Sequence, residues 1–197
     1  MTGLFEGAQT NPVPAGSRRA VFLDRDGTLN HNEVVEGKPV GPSRLEDFRI
    51  LPGVAEALDR FRAAGFLNIV ITNQPDLTTG DIPADVIEAM HMRLRDELAL
   101  DDIVICPHAK DAGCPCRKPE PGLLFTAAET WGIDLERSVM VGDRWRDINA
   151  GKAAGCSTVH IDKGYTGEPE VRGADFTVSS IEHAVEWICA RQHLPTI

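Results

Sequence analysis

Two aspartates one residue apart, Asp24 and Asp26, stand where the apolar run Ala20-Val21-Phe22-Leu23 breaks off into Gly27. Residues i and i+2 of an extended chain point the same way, so both carboxylates are expected to converge at the carboxyl end of a strand. Glycine lets the chain turn sharply there. Crowded carboxylates need a cation, and oxygen ligands suit a hard divalent ion such as Mg2+. Three more groups follow in order. Leu67-Asn68-Ile69-Val70-Ile71 runs into Thr72-Asn73-Gln74, Arg117-Lys118-Pro119 precedes a helical pattern, and Ser138-Val139-Met140-Val141 runs into Gly142-Asp143, with Asp147 four residues on. A carboxylate nucleophile, a second carboxyl that exchanges a proton, hydroxyl and amide donors, and a lysine are parts of a phosphoryl-transfer site.

A second constellation is separate from the first. Cys106, His108, Cys114 and Cys116 place three of the five cysteines and an imidazole in the spacing C-x-H-x5-C-x-C. Clustered thiols in a cytosolic chain are more often metal ligands than disulfides, and a complete Cys3His set suits a closed, structural Zn2+. Incidental thiols are the alternative. Cys156 and Cys189 read as core residues.

The ordered set D-R-D-G-T, T-N-Q, R-K-P and G-D resembles the haloacid dehalogenase (HAD) superfamily of phosphohydrolases over residues 20–160. The resemblance implies a three-layer α/β/α Rossmann-like fold with a central parallel sheet. It also implies roles. Asp24 attacks phosphorus and carries an aspartyl-phosphate, while Asp26 serves as general acid and then general base. That acid role requires Asp26 to stay protonated near neutral pH. Thr72, the Asn73 backbone and Gln74 meet the phosphate, and Lys118 steadies the developing charge. Mg2+ is held by Asp24, the backbone carbonyl of Asp26 and Asp143, with Asp147 a supporting or occasional direct ligand. An acid at Asp26 favours phosphate esters over haloalkanoates.

The intervals from Asp24 to Thr72 and from Thr72 to Lys118 are too short for a cap domain, so loops must supply specificity. The cysteine loop running into R-K-P, behind T-N-Q, resembles the capless heptose bisphosphate phosphatases and histidinol-phosphate phosphatases. There the zinc loop walls the site and presents an arginine, here Arg117, beside the catalytic lysine. Arg117 and Arg144 are expected to bind substrate. Pro75 and Asp76 depart from the T-N-Q-S-G usual in that group, removing a backbone donor and adding negative charge. The expected activity is a Mg2+-dependent phosphohydrolase of a small phosphorylated metabolite, a sugar phosphate such as a heptose (bis)phosphate. Histidinol phosphate is the alternative substrate, and a zinc-stabilised interaction module without catalysis the alternative class.

The elements that must position these groups alternate strand and helix, which points to a parallel sheet covered on both faces. Strands are predicted at 20–24, 67–71, 102–106, 138–142, 157–161 and 175–178. Helices are predicted after Pro52-Gly53, after Pro83, and at 120–131, 146–154 and 180–191, with the Met and Trp residues on their stripes reading as core. The 197 residues suit one domain over 18–197, preceded by a flexible arm at 1–17. A net charge of −10 argues against a nucleic-acid partner, while Arg25, Arg117, Lys118, Arg144 and Arg146 can make the site locally positive. With no membrane span and no signal-like start, the chain reads as cytoplasmic and as a monomer.

Overall fold

The computed structural model describes residues 16–190, so all but Gly16 and Ser17 of the expected arm lie outside the described residues. In chain order the elements are β1 (Arg19–Leu23), a hairpin of β2 (Glu33–Val35) and β3 (Lys38–Val40), α1 (Val54–Ala63), β4 (Phe66–Asn73), the short α2 (Asp76–Thr79), α3 (Ala84–Glu97), β5 (Asp102–Cys106), α4 (Gly122–Trp131), β6 (Val139–Gly142), α5 (Trp145–Ala153), β7 (Ser157–Ile161), β8 (Phe176–Val178) and α6 (Ile181–Ala190). Six strands form one parallel sheet in the order β5-β4-β1-β6-β7-β8. Chain direction reverses its progress across the sheet at β1, the kind of switch point where open α/β sheets bind ligands.

Side-chain alternation along the strands builds the two covered faces. Val21 and Leu23 of β1, with Val139 and Val141 of β6, join one core with Leu58 and Phe61 of α1, Met90 and Leu94 of α3 and Ile188 of α6. Ala20 and Phe22, with Met140, join the other with Leu124 of α4 and Ala150 of α5. Asn68 interrupts the apolar run of β4 but is fully buried, donating to the carbonyls of Leu58 and Ala99 at 2.9 and 2.8 Å. It ties the helix before the strand to the loop before the next one.

The predicted strands and helices match the structure within a few residues. The β2–β3 hairpin was not predicted, and the reason is physical. Glu33, Val34 and Val35 are all exposed, so neither face carries the apolar alternation that marks a half-buried strand. One reading of the core is corrected. Met90 is buried, but Met92 is 55% exposed, and Trp145 is half-buried with its indole N–H donating to Glu168 at 3.2 Å. Trp145 starts α5 at the wall of a cavity rather than lying on the packed stripe of the helix. Cys156 is buried as expected, whereas Cys189 is only partly so.

Candidate active site

The carboxyl ends of β1, β4 and β6, three neighbours in the sheet, bring together Asp24, Thr72 and Asp143, and the segment before α4 adds Lys118. All four are buried, with 7%, 1%, 1% and 3% exposure. Lys118 Nζ lies 2.6 Å from Asp24 Oδ1, 2.6 Å from Asp147 Oδ1 and 2.7 Å from the Ile71 carbonyl. Burial opposes its charge, but the two carboxylates outweigh burial and hold the ammonium above its usual range. Asn73 fixes the lysine's backbone from both sides: its amide accepts from Lys118 N at 3.1 Å and donates to Lys118 O at 3.2 Å.

Asp24, Asp143 and Asp147 each offer a carboxylate oxygen, all within 4.8 Å of one another. Burial and then the charge of Asp147 push Asp24 up; burial and then the charges of Asp24 and Asp147 push Asp143 up to about 8. Asp143 Oδ1 is buried and has no hydrogen-bond partner among the described residues. A buried oxygen that accepts no hydrogen bond, in a cluster of three carboxylates, fits a hard divalent cation. Two glycines make room. A Cβ at Gly27, where φ is +87°, would fall 1.9 Å from Asp143 Oδ2, and one at Gly142 would fall 2.3 Å from the Cβ of Asp147.

Asp26 does not behave as the sequence suggests. Its carboxylate is absent from the converging set, because β1 ends at Leu23 and the same-side rule of an extended chain lapses beyond it. It turns instead onto Arg25, with Nη2–Oδ2 at 2.8 Å, and accepts from Asn30 at 2.9 Å and Gln74 at 3.3 Å. Burial pushes its pKa up, but the Arg25 charge and these hydrogen bonds prevail, and the net shift is downward. The expected protonated carboxyl is therefore corrected: Asp26 is held ionised. Gln74 links it to Thr72, whose hydroxyl accepts from the same amide at 2.9 Å. Asp26 still faces the cleft.

That cleft, about 410 Å3, is lined by Asp24, Asp26, Thr72, Lys118 and Arg144, and at its outer rim by Pro39–Ser43, Asp76 and Arg117. The exposed hairpin thus supplies one wall, and Asp76, the first residue of α2, another. Arg117, half-buried, donates to the His108 carbonyl at 3.1 Å and is shared with an adjoining cavity of about 550 Å3 that Lys38, Lys110, Trp145 and Arg146 also line. Arg144 lies 3.9 Å from Asp143 and 4.0 Å from Glu168. Sequence reasoning missed Asn30, Asn32 and Tyr165, which reach the carboxylates from loops; no spacing rule ties Tyr165 to Asp143 across 22 positions.

The four residues of the cysteine loop also meet. Cys106 Sγ lies 3.7 Å from Cys114 Sγ and 3.6 Å from His108 Nδ1, while Cys116 Sγ lies 3.2 Å from Cys106 Sγ, 3.4 Å from Cys114 Sγ and 3.2 Å from His108 Nδ1. A tetrahedral Zn2+ with ordinary Zn–S and Zn–N bonds has ligand–ligand edges of about 3.5–3.8 Å, so the donor set fits with small adjustments.

Residues 115–184 match the family model of the HAD-hydrolase-like proteins. A D-glycero-beta-D-manno-heptose-1,7-bisphosphate 7-phosphatase of Rhodopseudomonas palustris is 38% identical over 153 residues, covering 72% of this chain and 82% of the relative. The D-glycero-D-manno-heptose-1,7-bisphosphate 7-phosphatase of Thermosynechococcus vestitus is 37% identical over 196 residues, covering 87% and 96%. Among solved structures, the D,D-heptose 1,7-bisphosphate phosphatase of B. bronchiseptica, complexed with magnesium and phosphate, superposes with a TM-score of 0.71 at 28% identity, covering 87% of this chain and 98% of that one.

Proposed function

Because the chain belongs to the HAD-like hydrolases, in the group that contains the heptose-1,7-bisphosphate 7-phosphatases, we propose that it hydrolyses a phosphate ester of a phosphorylated heptose with Asp24 as nucleophile. The observation that carries this reading is the buried contact of Asp24 with Lys118 at the floor of an open, polar cleft. In the first half-reaction an Asp24 oxygen bonds to phosphorus, the ester P–O bond breaks, and the departing oxygen takes a proton from Asp26. In the second, water attacks the aspartyl-phosphate, Asp26 accepts the water proton, and phosphate leaves with Asp24 restored. Asp26 is ionised by Arg25 beforehand, so it is poised as the base; to serve as the acid it first takes up a proton from solvent as the substrate competes with Arg25 for its carboxylate. Lys118, Thr72 and the turn at Asn73-Gln74 line the place where the equatorial oxygens gather charge.

Asp24 and Asp143, with the Asp26 backbone carbonyl and Asp147 at hand, would hold a Mg2+ ion, which when bound neutralises charge on the transferring phosphoryl group. Cys106, His108, Cys114 and Cys116 would hold a structural Zn2+ that stiffens the segment carrying Arg117 and Lys118.

The cleft carries charges of both signs. Asp76 and Asp81 line it together with Arg117 and Arg146, and the two arginines also border the adjoining cavity with Lys38, Lys110, Glu120 and Glu168, the last 3.1 Å from Arg146. A bisphosphate seats its second phosphate against Arg117, where a guanidinium can bind it in bidentate fashion, and turns hydroxyls to Asp76 and Asp81. Steady-state assays of a heptose 1,7-bisphosphate, a heptose monophosphate and histidinol phosphate test this. The bisphosphate is expected to lead in kcat/KM by at least tenfold, a gap of ~1.4 kcal/mol in transition-state binding. Histidinol phosphate in the lead would overturn the substrate, and Asp24→Asn turning over like the wild type would overturn the mechanism.

A further inference from the structure

Asp143 is gripped from outside the cleft by two residues that belong to none of the four motif segments. Tyr165, the single tyrosine of the chain, lies in the irregular stretch between β7 and β8. Its hydroxyl is 2.7 Å from Asp143 Oδ2 and 3.2 Å from Asn32 Oδ1. Asn32 Nδ2 is 2.8 Å from that hydroxyl and 3.4 Å from Asp143 Oδ2. A hydroxyl has one proton to give, and the carboxylate is both nearer and charged, so Tyr165 donates to Asp143 and accepts from Asn32. Both donors therefore crowd one oxygen of Asp143. The other oxygen, Oδ1, is buried and accepts no hydrogen bond among the described residues, with Arg144 Nε 3.9 Å away, and Asp143 offers a carboxylate oxygen to the cluster with Asp24 and Asp147. Gly27 closes the third side, since any Cβ there would collide with Asp143 Oδ2 and lie 2.7 Å from Asn32 Nδ2.

We infer that Tyr165 and Asn32 are positioning residues that hold Asp143 with one oxygen presented to a divalent cation, and that they tie two walls of the active site to that oxygen. This rests on the reading of Asp143 as a cation ligand. Outer partners of this kind fix ligand orientation, and losing one commonly costs ten- to a hundredfold in metal affinity. Asn32 leads directly into the β2–β3 hairpin that walls the cleft, and Tyr165 into Gly167, whose N–H donates to the Gly37 carbonyl at the hairpin tip, 2.8 Å away. Hairpin and loop are thus joined at two points, one of which is the cation carboxylate. A cation that pulls on Asp143 is expected to order both.

Titration of the full-length chain with MgCl2 alone, followed by calorimetry and by the Mg2+-dependent rise in thermal midpoint, tests the inference in wild type, Tyr165→Phe, Asn32→Ala and Asp143→Asn. Tyr165→Phe is expected to weaken Mg2+ binding ten- to a hundredfold. It is also expected to abolish the Mg2+-induced slowing of amide exchange in the 33–40 hairpin and the 164–167 loop. Tyr165→Phe with wild-type Mg2+ affinity and exchange, while Asp143→Asn loses binding, overturns the clamp and leaves the cation site standing. A Tyr165→Phe effect confined to metal-free stability, with the Mg2+ increment unchanged, also overturns it. Unaltered Mg2+ binding by Asp143→Asn overturns the cation site and the clamp together.

Discussion

Arg25 turns Asp26 from a companion of Asp24 into the end of a buried chain that reaches α3. The guanidinium is 2% exposed, pairs with Asp26, and meets His91 Nε2 at 3.1 Å. Arginine has no acceptor, so Nε2 must carry a lone pair and the neutral ring holds its proton on Nδ1. Burial, then the charges of Arg25 and Arg95, lower the His91 pKa to about 4. A base whose pKa falls on folding leaves the unfolded chain binding more protons between the two values, so stability present above about pH 6.5 is lost as pH drops toward 4. Between pH 7 and pH 5 the wild type should lose about 2 kcal/mol through this residue, by the linkage relation. Urea midpoints across that interval check it: His91→Gln, which keeps an acceptor but cannot titrate, should show a flatter slope. An equal slope in the two proteins would remove His91 from the account.

Among elements, the cysteine loop and the β2–β3 hairpin show where a sequence speaks and where it falls silent. The metal-ligand spacing from Cys106 to Cys116 was readable because the four donors lie within one short loop, and local chain geometry brings them together. The strand ends carrying Asp24, Thr72 and Asp143 were readable too, each being a polar group that halts an apolar run. His91, Asn32 and Tyr165 were not, nor was the pairing of Arg25 with Asp26 and His91, since these contacts are set by how α3 and the loops settle on the sheet, which no local period encodes. The hairpin escaped for want of burial. If the cysteine loop holds zinc, Cys114→Ser should lower the zinc content measured by atomic absorption below one per chain. It should also reduce kcat with Mg2+ affinity unchanged, because Arg117 and Lys118 follow three and four residues from that ligand. Full zinc occupancy with reduced kcat would detach the rate effect from the metal.

At the scale of the molecule, local charge differs from the total, even though Glu120 and Glu168 lie among the basic groups beside the cleft. The chain carries a net −10, yet Lys38, Lys110, Arg117 and Arg146 share one cavity beside the cleft, and local field outweighs the total for an incoming anion. No helix among the described residues is long and apolar enough to cross a membrane. The whole-chain pattern that was legible, strand alternating with helix, reports the layers but not the strand order, which depends on which apolar faces meet. That order has a consequence in time. β1 is the first of the sheet's six described strands to be synthesised and one of its two central strands, and the Ser138 hydroxyl that accepts from Ala20 N lies 118 positions later. At ordinary translation speeds the ribosome takes roughly 6–24 s to cover that distance. Once β4 has been made, and until β6 follows, β1 has β4 on one side and an unsatisfied edge on the other, with apolar residues on both faces. Nascent chains arrested with β6 still inside the exit tunnel should be cut by protease near β1, and chains released past β7 should resist. The strand that leads into Asp24 waits, unpartnered on one side, for the strand that leads into Asp143.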